Sequence, residues 1–252
     1  MLTVLIVAPV AVALAAAVRS TWSPCGLSML STVTPVAERA RGHRYGATAT
    51  WFVIGATVGG ATLALGVALL AGLVDAFDVS ESARLTIAAV TAALATASDL
   101  RVFGFHLPLH TRQVNDEWLA RFRPWVYGAG FGWQIGVGFA TYIMTGGLYL
   151  MVVLAALTGD PVVAFAVVTG FGFVRGLAVL LSARLDTPAK VFAFHRRFDA
   201  MGPWTRAAMI ALEGAVIGVA TVAVAGPPAL IPLALIAAIG VSVSHGRVPA
   251  TA

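Results

Sequence analysis

The segment RSTWSPCGLSM, residues 19–29, places a positive charge, a proline and the chain's single cysteine inside an otherwise apolar stretch. A cysteine thiolate is a nucleophile and a redox group, whereas an arginine in such a stretch commonly faces a solute pathway or a partner. Pro24 lacks the backbone N–H that a continuous helix requires, so it breaks a helix and frees backbone carbonyls. The segment therefore favours either thiol exchange at Cys25 or solute binding by Arg19, Ser23 and the groups around the break.

A second set of polar residues lies in the Gly-rich apolar stretch of residues 126–157, and its members are Gln134, Thr141, Tyr142 and Thr145. Irregular backbone and polar groups are tolerated at membrane depth where they line a cavity. In the alternative interpretation, the hydroxyls only bond back to carbonyls of their own helix. Together with the first break, this set forms a candidate pathway for a solute or an ion.

Two more ionisable residues, Arg175 and Glu213, fall in apolar stretches of the second half. An ion pair between them would neutralise both buried charges. Alternatively, Arg175 extends its side chain to the cytoplasmic interface, since Arg184 lies only nine residues further on. Glu213 is the better candidate for a proton-coupled or cation-binding group, and its alternative is structural pairing with a nearby donor.

The composition assigns the chain to the membrane proteins. Hydrophobic residues make up 59% of the chain and charged residues 11%, with a mean hydropathy of +0.91, whereas about 25% of a typical soluble domain is charged. Because one spanning helix takes about 20 residues, six or seven spans fill the 252 residues and leave no room for a soluble domain. One cysteine excludes an internal disulfide, and no nucleotide-binding loop, cofactor site or metal site is expected.

Hydropathy and helix breakers predict an all-α protein with seven spans in a single membrane domain. The first repeat covers about residues 2–100, a cytoplasmic loop 101–125, the second repeat 126–225 and an extra helix 229–244. The predicted spans are 2–36 as one broken helix, 46–74, 84–98, 126–157 with an interruption, 161–183, 204–225 and 229–244. Three spans per half predict inverted repeats, with the working site near the midplane between the two broken helices. The alternative is a plain bundle whose glycines only permit close packing.

Loop charges predict the orientation in the inner membrane. Arg19 and Arg175 are predicted inside the membrane, and Arg84 lies in the loop after span two. All other Lys and Arg residues lie in the loops after spans one, three and five or in the C-terminal tail. Because cytoplasmic loops are enriched in basic residues, the N-terminus is predicted outside and the C-terminus inside. This asymmetry explains the net charge of +5 better than nucleic-acid binding does. A cleaved signal peptide is the alternative for the first span, although the basic n-region is missing.

Two segments resemble the CcdA/DsbD family of membrane thiol-disulfide conductors, within the broad LysE-like transporter superfamily: STWSPCGLSMLSTVTP and GAGFGWQIGVGFATY. The resemblance implies a 3+3 helical core in which one cysteine on each broken helix passes reducing equivalents from a thioredoxin to an outside thiol protein. Ser23, Pro24 and Cys25 match the first motif. The second cysteine would fall near Tyr142 and Ile143, where this chain has none, and thiol exchange needs two sulfurs.

Three functional hypotheses follow. The first is movement of a small solute or ion through a midplane site between broken helices one and four. The second is transfer of reducing equivalents by Cys25, as a thiol-disulfide oxidoreductase working with a thioredoxin-like partner or a second copy. The third is an accessory subunit that packs against other membrane proteins in the lipid bilayer.

Two smaller features have simpler interpretations. His106 and His110 have i, i+4 spacing, but Pro108 disrupts the helix that would align them on a metal. The Arg- and aromatic-rich segments 114–125 and 189–204 are predicted as interfacial helices on the anionic inner leaflet, with partner docking as the alternative.

Overall fold

A computed structural model describes residues 2–108 and 117–226, and within these ranges the chain forms helices and no strand. Its α-helices are α1 (Leu2–Ser20), α2 (Pro24–Thr32), α3 (Pro35–Ala40), α4 (Tyr45–Ala76), α5 (Glu81–Leu100), α6 (Trp118–Arg121), α7 (Pro124–Val137), α8 (Gly147–Leu157), α9 (Pro161–Leu177) and α10 (Pro188–Ala225). Short 3₁₀ turns at Val102–Gly104 and Ala178–Ser182 extend α5 and α9. The all-α fold class is therefore confirmed for this part of the chain.

Among the described residues, four helices are long and apolar enough to cross a membrane, and a fifth span results if the bent pair α1 and α2 counts as one. The four are α4, α5, α10 and α9 with its 3₁₀ extension. They correspond to the second, third, sixth and fifth predicted spans. The predicted seventh span, residues 229–244, lies outside the described residues.

The first apolar stretch is broken where Pro24 predicts it. Helices α1 and α2 meet at an angle of 62° across the residues between Ser20 and Pro24. Ser23 is the N-cap of α2, and its hydroxyl accepts a hydrogen bond from Gly26 N at 3.2 Å. Proline is well placed at the first position of a helix, because the N–H it lacks would have no helical partner there. Ser23 and Pro24 thus end one helix and begin the next.

The second predicted interruption lies between α7 and α8. Helix α7 stops at Val137, where Gly138 adopts a φ of 77°, a conformation that favours glycine. The chain returns to helix only at Gly147, and α8 has 11 residues, about 16 Å in length. A helix of that length crosses only half of a bilayer core of about 30 Å.

Helix α10 is longer than predicted. It runs over 38 residues from Pro188 to Ala225, about 57 Å, so the predicted interfacial segment 189–204 is its N-terminal half. Thr187 caps its start, and Pro203 lies within it without ending it. One proline removes a single helical hydrogen bond, and the helix continues on both sides of Pro203.

Contacts at both ends define the directions of three helices. Leu5 of α1, Leu85 of α5 and Ala220 of α10 share one apolar cluster. At the opposite end, Arg19 of α1 contacts Gly202 and Thr205 of α10. Helix α10 therefore runs antiparallel to α1 and α5.

Helix α4 occupies the centre of the bundle, where glycines allow its backbone to touch two neighbours. A Cβ atom on Gly55 would lie 2.1 Å from the Ala129 carbonyl oxygen of α7, and one on Gly132 would lie 2.1 Å from the Phe52 carbonyl oxygen of α4. On the other side, a Cβ on Gly60 would lie 2.9 Å from the Gly172 Cα of α9. Small residues let membrane helices pack through backbone contacts in this way.

Gly55→Ala tests this packing, because the added methyl group forces α4 and α7 apart. We expect a loss of roughly 1–3 kcal/mol of stability, the usual cost of overpacking a tight core, measured as a lower thermal unfolding midpoint in detergent. Gly66→Ala is the control, since it lies on the same helix and its Cβ would meet nothing within 4 Å. Equal unfolding midpoints for the two variants would contradict the packing.

Candidate functional site

A cavity of about 410 Å³ lies where the two helix breaks meet the C-terminal end of α5. We call it the break cavity. The first break, α5, the second break and α10 all contribute to its lining, which is made of Arg19, Trp22, Pro24, Leu27, Ser98, Asp99, Arg101, His106, Tyr142, Ile143, Met144 and Arg206. The cavity is level with the last turn of α5, so it lies toward the end of the bundle from which residues 101–108 emerge.

Asp99 holds the second break in place. Its carboxylate accepts a hydrogen bond from the Thr145 hydroxyl and another from Gly146 N at 2.6 Å. These donors precede α8, whose first N–H groups have no helical partner. A negative charge at a helix N-terminus is also favoured by the helix dipole. Asp99 therefore caps α8 from a neighbouring helix and fixes the non-helical segment against α5.

Arg19 and Trp22 hold the first break against α10. The Arg19 guanidinium donates to Gly202 O and to the Thr205 hydroxyl, both at 3.3 Å. The Trp22 indole donates to Phe198 O at 2.7 Å and stacks on the Phe198 ring at 4.1 Å. Each break is thus held by a helix from the other half of the chain. The first break contacts α10, and the second break contacts α5.

The charged side chains that line the break cavity are mainly cationic. Arg19, Arg101 and Arg206 contribute three positive charges, against the one carboxylate of Asp99. That carboxylate already accepts two hydrogen bonds, while Arg206 donates to the Asp99 backbone carbonyl at 2.5 Å. Guanidinium groups are suited to bind carboxylate or phosphate groups. The geometry therefore suits a small anion better than a cation.

The structure distributes the predicted site residues over three places. Arg19, Pro24 and Tyr142 line the break cavity. Ser23 and Thr145 fix the two breaks from buried positions. Thr141 is buried and donates to Gly138 O of its own break at 3.4 Å, and Gln134 is half-buried on α7 away from the cavity lining.

Arg175 follows neither of the two predicted interpretations. Its side chain is 3% exposed and donates to Ile135 O at 2.7 Å, so it does not extend to the interface. Among residues 2–108 and 117–226, no ion pair joins it to Glu213. Ile135 lies in the last turn of α7, where its carbonyl accepts a hydrogen bond from Gly138 N at 3.1 Å, and Arg175 supplies a second donor.

Cys25 lies on the side of the first break that faces Arg175. The thiol is 3% exposed, at the second position of α2, and interacts electrostatically with the Arg175 guanidinium. Cys25 is not among the lining residues of the break cavity, although Pro24 beside it is.

Glu213 is fully buried on α10, and within the described part of the chain its two carboxyl oxygens have no hydrogen-bond partner. The Thr96 hydroxyl of α5 lies close to it, but it too forms no bond of acceptable geometry. Leaving buried polar atoms unsatisfied costs about 1–3 kcal/mol per group. An unpaired carboxyl in this position suits proton or cation binding.

Asp99, Arg101 and Arg206 were not among the predicted site residues. One signal in the sequence identifies Asp99: it is an acidic residue in the last turn of an apolar helix, where the helix dipole disfavours negative charge. A residue in that position needs a partner from elsewhere. Arg101 and Arg206 were counted among the basic residues of the predicted cytoplasmic loops.

The sequence is similar to several curated proteins. It is 33% identical over 179 residues to methylamine utilization protein MauF of Paracoccus denitrificans, a match that covers 69% of this chain and 62% of that protein. Proteins of the same name from Methylobacillus flagellatus and Paracoccus versutus are 32% identical over 187 residues and 30% identical over 177 residues. In both, the match covers 62% of the relative, with 69% and 68% of this chain.

The chain thus spans less than two thirds of the length of these relatives. No protein-family model and no solved structure matches it.

Asp99→Asn tests whether the second break depends on this carboxylate. The variant keeps one acceptor oxygen and loses the negative charge, so one of the two donors at the start of α8 loses its partner. We expect about 1–3 kcal/mol of destabilisation, measured by thermal unfolding in detergent. Asp75→Asn, an exposed change in the last turn of α4, is the control, and equal midpoints for both variants would argue against the cap.

Proposed function

We propose that this chain is a multi-pass inner-membrane protein that moves a small solute through the break cavity between its two broken helices. One observation supports the proposal most directly: residues from both breaks line the same cavity of about 410 Å³. Transporter sites are typically formed by discontinuous helices of two repeats. The movement itself requires the cavity to open alternately to the two sides.

The same proposal includes a 3+3 inverted-repeat core with a seventh helix, an outside N-terminus and a cytoplasmic C-terminus. The order of the helices supports it. A broken helix begins each half: α1 and α2 in the first, α7 and α8 in the second. Two long helices follow in each half: α4 and α5, then α9 and α10. The close antiparallel contact between α4 and α9 at Gly60 and Gly172 fits a pseudo-two-fold axis.

The cavity's charges favour an anionic solute. The MauF relatives are named for methylamine utilization, and we propose that this chain takes part in such a process. Methylamine itself is a methylammonium cation at neutral pH, and three arginines around the cavity repel it. The solute that we propose is therefore a small carboxylate or phosphate, not the amine.

Arg206→Gln tests the transport proposal, because it removes one cavity charge and keeps a hydrogen-bond donor toward Asp99 O. In vesicles containing the full chain, we expect uptake of at least one of formate, acetate and inorganic phosphate, and no methylammonium uptake above that of empty vesicles. The variant should lower anion uptake about ten-fold, equivalent to the loss of one charge-assisted contact.

Arg196→Gln is the matched control, since Arg196 is exposed on the same helix and outside the cavity. Loss of uptake in both variants, or uptake of methylammonium alone, would overturn the assignment of an anion pathway to the break cavity.

Thiol transfer is the second candidate, favoured by the position of Cys25 at the start of α2 and near Arg175. The CcdA/DsbD resemblance gives the same chemistry. Because the chain has a single cysteine, the second sulfur must come from a partner such as a thioredoxin-like protein, another membrane subunit or a second copy.

Cys25→Ser separates the two candidates. If the break cavity moves solutes, the variant retains anion uptake, because the thiol does not line the cavity. If Cys25 exchanges disulfides, the variant loses all activity and can no longer be trapped as a mixed disulfide with a partner thiol. The measurements are vesicle uptake and non-reducing electrophoresis of the membrane fraction, with Ser28→Ala on the same helix as control.

A further inference from the structure

A second cavity, separate from the break cavity, opens at the start of α4 and α7. It has a volume of about 530 Å³, and Arg41 and His43 of the α3–α4 turn form one wall. The opposite wall comes from the α6–α7 turn and consists of Leu119, Arg121, Phe122, Arg123 and Pro124. We call it the junction cavity. It combines three arginines with an apolar edge.

A buried carboxylate makes the junction rigid. Glu38 is 0% exposed. Its carboxylate accepts hydrogen bonds from Arg41 Nη1, the Thr48 hydroxyl of α4 and the Tyr127 hydroxyl of α7, each at 2.6 Å. One side chain therefore connects α3, α4 and α7 behind the cavity.

The charge of Glu38 does not cancel that of the cavity. Its carboxylate forms an ion pair with Arg41 at 2.6 Å and lies 4.0 Å from His43 Nδ1, which leaves Arg121 and Arg123 without its compensation. Arg41 also donates to Thr32 O through both terminal nitrogens at 3.1 Å, and a guanidinium has five N–H donors, so donors remain for a ligand. Arg121 and Arg123 are exposed and add two positive charges.

The junction cavity adjoins the first turn of a helix that is long and apolar enough to span a membrane. It is next to Arg44 and Tyr45, where the apolar span α4 begins. One to two turns further into α4 and at the start of α7, Trp51 and Trp125 are exposed, with ring centroids 6.1 Å apart. Tryptophan is enriched at the level of lipid headgroups. The arginines are thus on the water side of an aromatic pair that faces lipid.

We propose that the junction cavity binds the phosphate group of an anionic phospholipid. Arg121 and Arg123 contact the phosphate oxygens through paired N–H groups, the geometry in which arginine binds phosphate best. The acyl chains lie along the exposed apolar surfaces of Phe122, Trp51 and Trp125. Free phosphate shares this headgroup chemistry, but the aromatic pair favours the lipid. The proposal does not depend on the function of the break cavity.

The test compares lipid retention by two double variants of the full chain. The protein is purified from vesicles of phosphatidylcholine with phosphatidylglycerol, and bound lipid is measured by native mass spectrometry. Arg121→Ala/Arg123→Ala should reduce retained phosphatidylglycerol about ten-fold, because charge-assisted contacts to phosphate are lost. Arg39→Ala/Arg184→Ala removes the same charge from exposed positions outside the lining of the junction cavity and should retain the wild-type amount.

Equal loss of lipid in both double variants would overturn the site, since net charge would then account for binding, and so would unchanged retention in the first. Should the alanine variant unfold, Arg121→Lys/Arg123→Lys keeps the charge and loses the paired donors, and an unchanged lipid content there would also overturn it. Added inorganic phosphate distinguishes the sources: lipid that stays bound supports a phospholipid site, and phosphate that binds alone and displaces the lipid contradicts it.

Discussion

A backbone N–H or C=O that leaves a helix inside a bilayer has no water to bond to, so the protein itself must supply its partner. Two breaks in this chain create that requirement. Ser23 caps the start of α2, and Asp99 caps the start of α8 from across the bundle. Arg175 donates to a carbonyl at the end of α7. These side chains are polar because the breaks need them, and the break cavity forms between the segments they hold.

At the first break, two neighbouring residues face different surroundings. Successive residues of a helix point about 100° apart, so Pro24 lines the break cavity while Cys25 faces the interior near Arg175. A solute in the cavity does not need the thiol, and a partner protein that reaches the thiol does not need the cavity. The break cavity therefore does not depend on a second cysteine in this chain.

Arginines line both the break cavity and the junction cavity. Around the break cavity, Arg19 and Arg206 donate hydrogen bonds to backbone carbonyls of α10 and α5. These bonds fix the positions of the two guanidinium groups, and a neutral carbonyl does not cancel their positive charge. Around the junction cavity, Glu38 forms an ion pair with Arg41 and lies 4.0 Å from His43, while Arg121 and Arg123 add further positive charge. Both cavities therefore keep a surplus of positive charge, and a surplus of this kind attracts anions.

The sequence by itself determined the features that depend on neighbouring residues. Apolar content predicted a membrane protein and most helix positions, and Pro24 predicted the break between α1 and α2, because proline lacks the N–H that a continuous helix requires. The glycines of residues 126–157 similarly predicted an interruption. The continuation of α10 through Pro203 was missed, since proline at that position also suits the start of a span.

Only the tertiary structure decided which side chains meet. Asp99 and Thr145 are 46 residues apart, and Arg175 and Ile135 are 40 apart, so no local pattern indicates either pair. The two predicted interpretations of Arg175 considered its charge and its distance from the membrane surface, whereas the structure uses its donors for a carbonyl of another helix. The break cavity likewise has no counterpart in any segment, because it exists only where separate helices end at the same level.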